Sequence, residues 1–566
     1  MKRRLLPMMM TLVLVCALPI WAAFVTSPDV TNPLVCTAWA DTAEGERNSG
    51  TTQETFTEVT DETTLKKAVA DGKSVRMTQD ITLTSSLCIE KAVTLDMDGH
   101  VLTRMHTYEY DMVVIRSDAT LTLIDSNTGN LQHRFNAGET GWTKAADNAT
   151  GDGIVTVTGG VIYGDAGRSI INPCGIKILK GKLEMYGGSI VGIRNVYNAN
   201  GGGVYVSDQC TFNMYGGSIK GCYVFSDGGG VYVAAGGTFT MSGSSAITNC
   251  KGSRGGAVYN AGTFTMRDNS HIADCIYNSS IASGGGVHNK GTFTVEGGSI
   301  TGSVNDHNRE QSSDDICNEN KLDVSEGITI SCNVNVGYGS TISKGTFTGR
   351  VWIFWEGTIL GGTFTNEVIN YEGTIKAGEF TGEVTNTSGG TISGGTFDKN
   401  VANESGATIS GGTFNENVTN KTNATLNGGI FYGGVTNDGG KIEDGAYETV
   451  KFNSDNGAQA KEEKVLRGQK VAKPTDDPTK SGYTFIGWED ADGAYDFSKS
   501  VTAPLTLTAK WEKNPSSGGY YYYPTTDTKA DDTKGSPKTA DPGVALYAAL
   551  SILSLTGMVA LNGKKR

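Results

Sequence analysis

The stretch Gly201-Gly202-Gly203-Val204-Tyr205 recurs as Gly228-Gly229-Gly230-Val231-Tyr232, as Gly255-Gly256-Ala257-Val258-Tyr259 and as Gly284-Gly285-Gly286-Val287-His288. Each copy is followed by a second run: Thr211-Phe212-Asn213-Met214, Thr238-Phe239-Thr240-Met241, Thr263-Phe264-Thr265-Met266 and Thr292-Phe293-Thr294-Val295. One repeat thus spans 25 to 29 residues. Inside it, short runs alternate apolar with Thr or Tyr and end at Gly clusters, so no 3.6-residue period can develop and a helical solenoid is excluded. Coils stacked about 4.8 Å apart pair each strand in parallel with its own copy, which satisfies the backbone and aligns like side chains. Phe212, Phe239, Phe264 and Phe293 are expected to form one interior ladder.

The pattern extends both ways. Val93 to Leu102, Ala119 to Ile124, Ile154 to Ile162 and Ile176 to Ile190 read as earlier coils with looser spacing. Before them, Thr63 to Ala70 places Leu65, Ala68 and Val69 on one helical face, a small helix suited to covering the open sheet edge of the first coil. Later the repeat tightens to 16 or 17 residues, carried by Phe347, Phe364, Phe380, Phe397, Phe414, Phe431 and Tyr447. Val351, Val368, Val384, Val401, Val418 and Val435 keep the same interval, as do Ile359, Ile375, Ile392, Ile409, Leu426 and Ile442. Three inward ladders describe a narrow solenoid, either continuing the first or packed on its end, that adds length without adding a pocket.

Both blocks resemble the pectate-lyase-like right-handed parallel β-helices of bacterial adhesin-like surface proteins, over roughly residues 60 to 447. From Val450 to Trp511 the pattern changes, with Ser481-Gly482-Tyr483-Thr484-Phe485-Ile486-Gly487-Trp488, Tyr495-Asp496-Phe497 and Leu505-Thr506-Leu507-Thr508-Ala509-Lys510-Trp511 in order. This part resembles an internalin-type B repeat. The resemblance implies a small β-grasp-like spacer module, with Trp488 and Trp511 in its core.

The two ends carry addresses. Met1-Lys2-Arg3-Arg4 precedes an apolar run from Leu5 to Val25, the layout of a secretory signal, with cleavage offered near Ala23 or Ala40. Near the other end stand Ser536-Pro537-Lys538-Thr539-Ala540, an apolar stretch from Val544 to Leu561, and Lys564-Lys565-Arg566. That order resembles the LPXTG-like sorting signals of Gram-positive sortase substrates, with Ser536 for Leu and Ala540 for Gly. It implies a membrane-spanning segment held by a basic tail, and covalent transfer of the Thr539 acyl group to peptidoglycan. The expected order is a signal peptide (1–40), a linker (41–59), a β-helix of long coils (60–335) and a tighter solenoid (336–447). A repeat module (448–512), a wall-spanning linker (513–535) and the sorting signal (536–566) follow.

Composition narrows the partners. The 77 glycines exceed the average usage of about 7%, as frequent turns require. A net charge of -13 argues against nucleic acid, which calls for a basic face. No CxxC pair occurs, and neither a metal nor a cofactor is expected. Cys222, Cys250 and Cys275 each close the segment after the Phe strand and are expected to stack as buried thiols. Cys317 and Cys332, close in sequence, are the candidate disulfide.

Glycan-cleaving β-helix enzymes need two or three acids on one face of neighbouring coils. Asp208, Asp227, Asp268 and Asp274 fall at different positions of the motif, so the regular coils build no such ladder. Two irregular stretches offer binding loops. Ser126 to Asp152 carries His133, Arg134, Glu139, Trp142, Lys144 and Asp147; Asn305 to Asn320 carries Asp306, His307, Arg309, Glu310, Asp314 and Asp315. Asp306, Asp314 and Asp315 could chelate calcium, without a recognised loop pattern. The expectation is a wall-anchored, non-enzymatic surface protein, an adhesin binding a glycan or protein. The alternatives are a wall-tethered polysaccharide lyase or glycoside hydrolase, and a structural stalk.

Overall fold

A computed structural model describes residues 55–105, 110–127, 131–138, 141–164, 174–195, 199–278, 283–305 and 315–515. The chain divides into two compact units, 1–480 with 485–511, and 481–484 with 512–566. In the second unit, Asn514 N donates to the Gly482 carbonyl and the Thr484 hydroxyl to Asn514 Oδ1. The signal, the sorting pentapeptide and its apolar segment lie outside the described residues. Among the described residues no helix is long and apolar enough to cross a membrane.

The first unit is all-β and folds as a right-handed parallel β-helix followed by a small sheet module. Sheet one holds 17 parallel strands from Thr57–Val59 to Lys441–Ile442, and sheet two holds 15, from Leu87–Ile89 to Val435–Asp438. Both run through the long and the short coils without a break: Leu322 pairs with Ile342 on sheet one, and Ile316 with Val334 on sheet two. The tight block therefore continues the first solenoid. The third side changes at that junction. An 8-stranded sheet ends at Ser299–Thr301, and a separate 7-stranded sheet starts at Thr329–Ile330. Met266, Val295, Ile300, Ile330 and Cys332 line a cavity of about 190 Å³ there.

The expected ladders form. Phe212, Phe239, Phe264 and Phe293 stack inside sheet one with ring centroids 4.8, 4.9 and 4.7 Å apart. Phe347 to Phe431 stack at 4.7 to 5.2 Å, but on the third side. Ring separation equals strand separation because parallel in-register pairing puts identical side chains one rung apart. Sheet two also carries a buried amide column. Asn370 Nδ2 donates to Asn386 Oδ1 at 2.7 Å, Asn386 to Asn403 at 2.9 Å, Asn403 to Asn420 at 2.9 Å and Asn420 to Asn437 at 2.8 Å. A second column joins Asn260, Asn289 and Asn318. Asn260, Asn289, Asn370, Asn386, Asn403 and Asn420 also donate to a carbonyl of the next coil, so the polar columns leave few groups unpaired.

Cys222, Cys250 and Cys275 are fully buried, with Cys250 within hydrogen-bond reach of the other two, and burial pushes the Cys222 and Cys275 thiols well up. Cys317 and Cys332 are corrected: both carry thiols, with no bridge between them. Cys332 belongs to the interior core, whereas Cys317 sits between inward Ile316 and Asn318 and so faces outward. The wall of the helix separates them.

The first coil is covered by the helix Glu62–Asp71, which buries Leu65, Ala68 and Val69. Asp61 caps it by accepting from Thr64 N, and Gly72 ends it in a left-handed conformation at φ 78°. After the last coil, Tyr447–Asn453 pairs antiparallel with Lys461–Leu466 and parallel with Leu505–Lys513. This module has a mixed sheet with no α-helix, unlike a full β-grasp. Its core holds Trp488, with Trp511 packed against it.

Candidate functional site

The first irregular stretch is built into the scaffold, and most of the second lies outside the described residues. Gln132–Asn136, Thr143–Lys144 and Ile154–Thr158 form a three-stranded antiparallel sheet. Its inner face packs Phe135 and Trp142 against Val101, Val161, Tyr163 and Val191 of the coils. Trp142 is buried, and His133 is buried with Nε2 2.8 Å from the Gly99 carbonyl. Arg134 donates to the Asp147 carbonyl at 2.8 Å. The ring and imidazole thus pin the insertion down and leave little for a ligand. In the other stretch, Asp306, His307, Arg309, Glu310 and Asp314 lie outside the described residues. Asp315 is buried and accepts from Ser303 N at 3.0 Å and Asn333 N at 3.1 Å, so it joins coils. Burial raises its pKa despite those donors.

Buried acids elsewhere serve the scaffold as well. Asp96 takes Arg76 Nε at 2.7 Å and Ser126 Oγ at 2.6 Å; Asp125 takes Gly99 N at 2.7 Å and Gly160 N at 2.8 Å. A carboxylate occupied in this way holds a corner rather than a substrate.

The surface feature that stands apart is on the short coils, in the turn that leaves sheet two. Three consecutive coils carry Gly337-Tyr338-Gly339, Phe354-Trp355-Glu356 and Tyr371-Glu372 at this corner, where later coils carry Thr387-Ser388-Gly389 and Glu404-Ser405-Gly406. Tyr338, Trp355 and Tyr371 are 55%, 44% and 39% exposed, too open for core packing. Coil stacking brings them together: Tyr338 and Trp355 rings lie 4.9 Å apart, Phe354 and Trp355 5.7 Å, and Phe354 and Tyr371 6.0 Å. Glu356 N donates to the Glu372 carbonyl, so the two acids stand on adjacent rungs beside the rings.

With Tyr338 and Trp355, these acids line an open groove of about 610 Å³. Tyr338, Trp355, Glu356 and Glu372 adopt φ of 53°, 39°, 67° and 64°. A bulky side chain in that left-handed region costs about 1–2 kcal/mol relative to glycine. Rings kept outside the core at such positions offer flat apolar faces with carboxylate acceptors at their edge. The signal in the sequence was the replacement of small turn residues by aromatics in three coils running.

Residues 449–510 match the Listeria-Bacteroides repeat domain family. No curated protein and no solved structure matches the chain. A repeat domain of the kind found in extracellular surface proteins, carried on a parallel β-helix, makes this a surface or binding protein at the coarse level.

Proposed function

We propose that this chain is a wall-anchored adhesin that binds a neutral or amino-sugar glycan at the Tyr338–Trp355–Tyr371 corner. The exposed ring cluster beside Glu356 and Glu372 carries the reading. Sugar rings present C–H faces that lie against aromatic faces, while their hydroxyls and amines donate to carboxylates. The net charge of -13 disfavours a polyanionic glycan.

In the decisive experiment the full chain and Trp355→Ala are compared on a glycan array, beside a reducing-sugar and unsaturated-product assay. Wild type binds without turnover. Loss of the central ring weakens binding by about 30-fold, or about 2 kcal/mol, the size of a hot-spot aromatic. Binding indifferent to Trp355 sinks the assignment of the site. Turnover abolished by Glu356→Gln or Glu372→Gln replaces the adhesin with a glycan-cleaving enzyme.

Attachment is the second half of the proposal. A sortase cleaves after Thr539 of Ser536-Pro537-Lys538-Thr539-Ala540 and passes its acyl group to peptidoglycan, with the repeat module and residues 513–535 as spacer. Thr539→Ala is expected to shift the chain from the wall fraction to the membrane and medium. Wall-extracted wild type that still carries Lys564-Lys565-Arg566 contradicts the anchoring.

A further inference from the structure

The outward face of sheet two holds a column of rings, Tyr205, Tyr232, Tyr259 and His288, with centroids 5.1, 5.1 and 5.2 Å apart. The next two rungs are Cys317, in register with His288, and Asn335, in register with Cys317. Glu319 follows Cys317 by two residues, so it stands on the same face. One ligand atom from each of His288, Cys317 and Glu319 lies within 4.8 Å of the others. The ring of His288 is fully buried and neither nitrogen makes a hydrogen bond. Glu319 Oε1 is only 3.2 Å from Nε2, yet off the line that a shared proton requires. Buried Asn335 Oδ1 also has no donor.

Unpaired buried polar atoms are costly, and several on adjacent rungs need a common reason. A hydrogen bond places the acceptor on the N–H axis. A tetrahedral metal places the second ligand off it, and with metal–N and metal–O near 2.0–2.1 Å the N···O separation is about 3.3 Å. The observed 3.2 Å and its misalignment match the second arrangement.

We propose that His288, Cys317 and Glu319 bind one zinc ion. The donor set of imidazole, thiolate and carboxylate suits a borderline-soft d10 cation. On binding, the Cys317 thiol loses its proton to solvent, and thiolate and carboxylate together neutralise the dication. Lys290 Nζ, 3.0 Å from Glu319 Oε2, holds the carboxylate's far oxygen and leaves Oε1 for the metal. The ion ties two successive coils together on the outer wall just before the third side changes sheets.

The full chain, stripped with a chelator, is titrated with zinc chloride by calorimetry and with cobalt(II) by absorption. One equivalent binds, protons are released, cobalt gives a thiolate charge-transfer band, and zinc raises the melting temperature. Cys317→Ser and His288→Gln remove the band, and Glu319→Gln weakens zinc binding by about 10–100-fold or more. Cys332→Ser, inside the wall, changes nothing. Circular dichroism confirms that each variant folds, and the conservative Glu319→Gln, at a half-buried position, stands in if a fully buried change does not. Absence of a stoichiometric site in wild type overturns the proposal. So does a site that survives both Cys317→Ser and Glu319→Gln, or one that is lost in Cys332→Ser.

Discussion

The glycine triplets show how single residues set the coil. In three of the four copies the first glycine needs its backbone freedom: Gly201, Gly228 and Gly255 have φ of 73°, 70° and 61°. The second needs space. A Cβ on Gly229 would lie 2.4 Å from the Gly256 carbonyl and 2.5 Å from the Lys251 carbonyl, both backbone atoms that cannot swing away. Packing at the third position is slightly looser, and Ala257 occupies it in one coil. Gly229→Ala is therefore expected to destabilise the helix by about 2–3 kcal/mol, the cost of forcing an extra carbon into a packed wall, and Gly230→Ala by clearly less. Urea unfolding, with hydrogen exchange at Val231–Val233 as the local probe, decides it. Equal stability of the two variants would show that the closer backbone approach at Gly229 does not set its cost.

At the scale of elements, the strands and the capping helix were legible because apolar period and glycine punctuation are local signals. Leu65, Ala68 and Val69 do face the first coil, and the Phe ladders do stack. Harder to read are juxtapositions of unlike side chains, which exist only once coils lie on one another. Tyr338, Trp355 and Tyr371 stand 17 and 16 residues apart, and His288 and Cys317 stand 29 apart. No short spacing motif joins either set. Trp142 misled for a related reason: an antiparallel sheet folds it back onto the coils, where an irregular stretch had suggested exposure.

The capping helix also has an electrostatic hinge. Burial alone would raise the pKa of Glu62. Hydrogen bonds from Lys66 Nζ, Thr84 Oγ1 and Thr84 N outweigh it and bring the value down to about 2. A depressed folded pKa means that this contribution is present in full above the ordinary value of 4.5 and is lost as pH falls through about 2. Amide exchange in Leu65–Val69 is expected to accelerate over that window in wild type. In Glu62→Gln the same amides exchange faster at neutral pH, with little further acid response. An acid response unchanged by the substitution would place the titrating group elsewhere.

For the molecule as a whole, a stack of parallel coils has the difficulty that each end leaves strand edges and apolar ladders uncovered. The helix Glu62–Asp71 closes the first coil. The last is closed by the repeat module, which is thus more than the spacer its resemblance implied. Phe431 N donates to the Arg467 carbonyl at 2.8 Å, and Gln469 Nε2 donates to the Phe431 carbonyl. Lys464 reaches Asp444 at 2.7 Å, and Ala446 joins the solenoid core with Tyr447 and Leu466 packed on it. Removing everything after Ala446 bares Ile430–Phe431, Val435–Asp438 and Lys441–Ile442 together. Such a chain is expected to keep its parallel-sheet circular dichroism, melt lower than the full chain, and assemble with rising concentration in sedimentation velocity. Gln469→Ala, which loosens one contact while keeping the module, should lower the melting temperature only slightly and leave the chain monodisperse. A truncated chain that melts like the full one and does not self-associate would mean that the terminal coil needs no cover, returning the module to the role of a passive spacer.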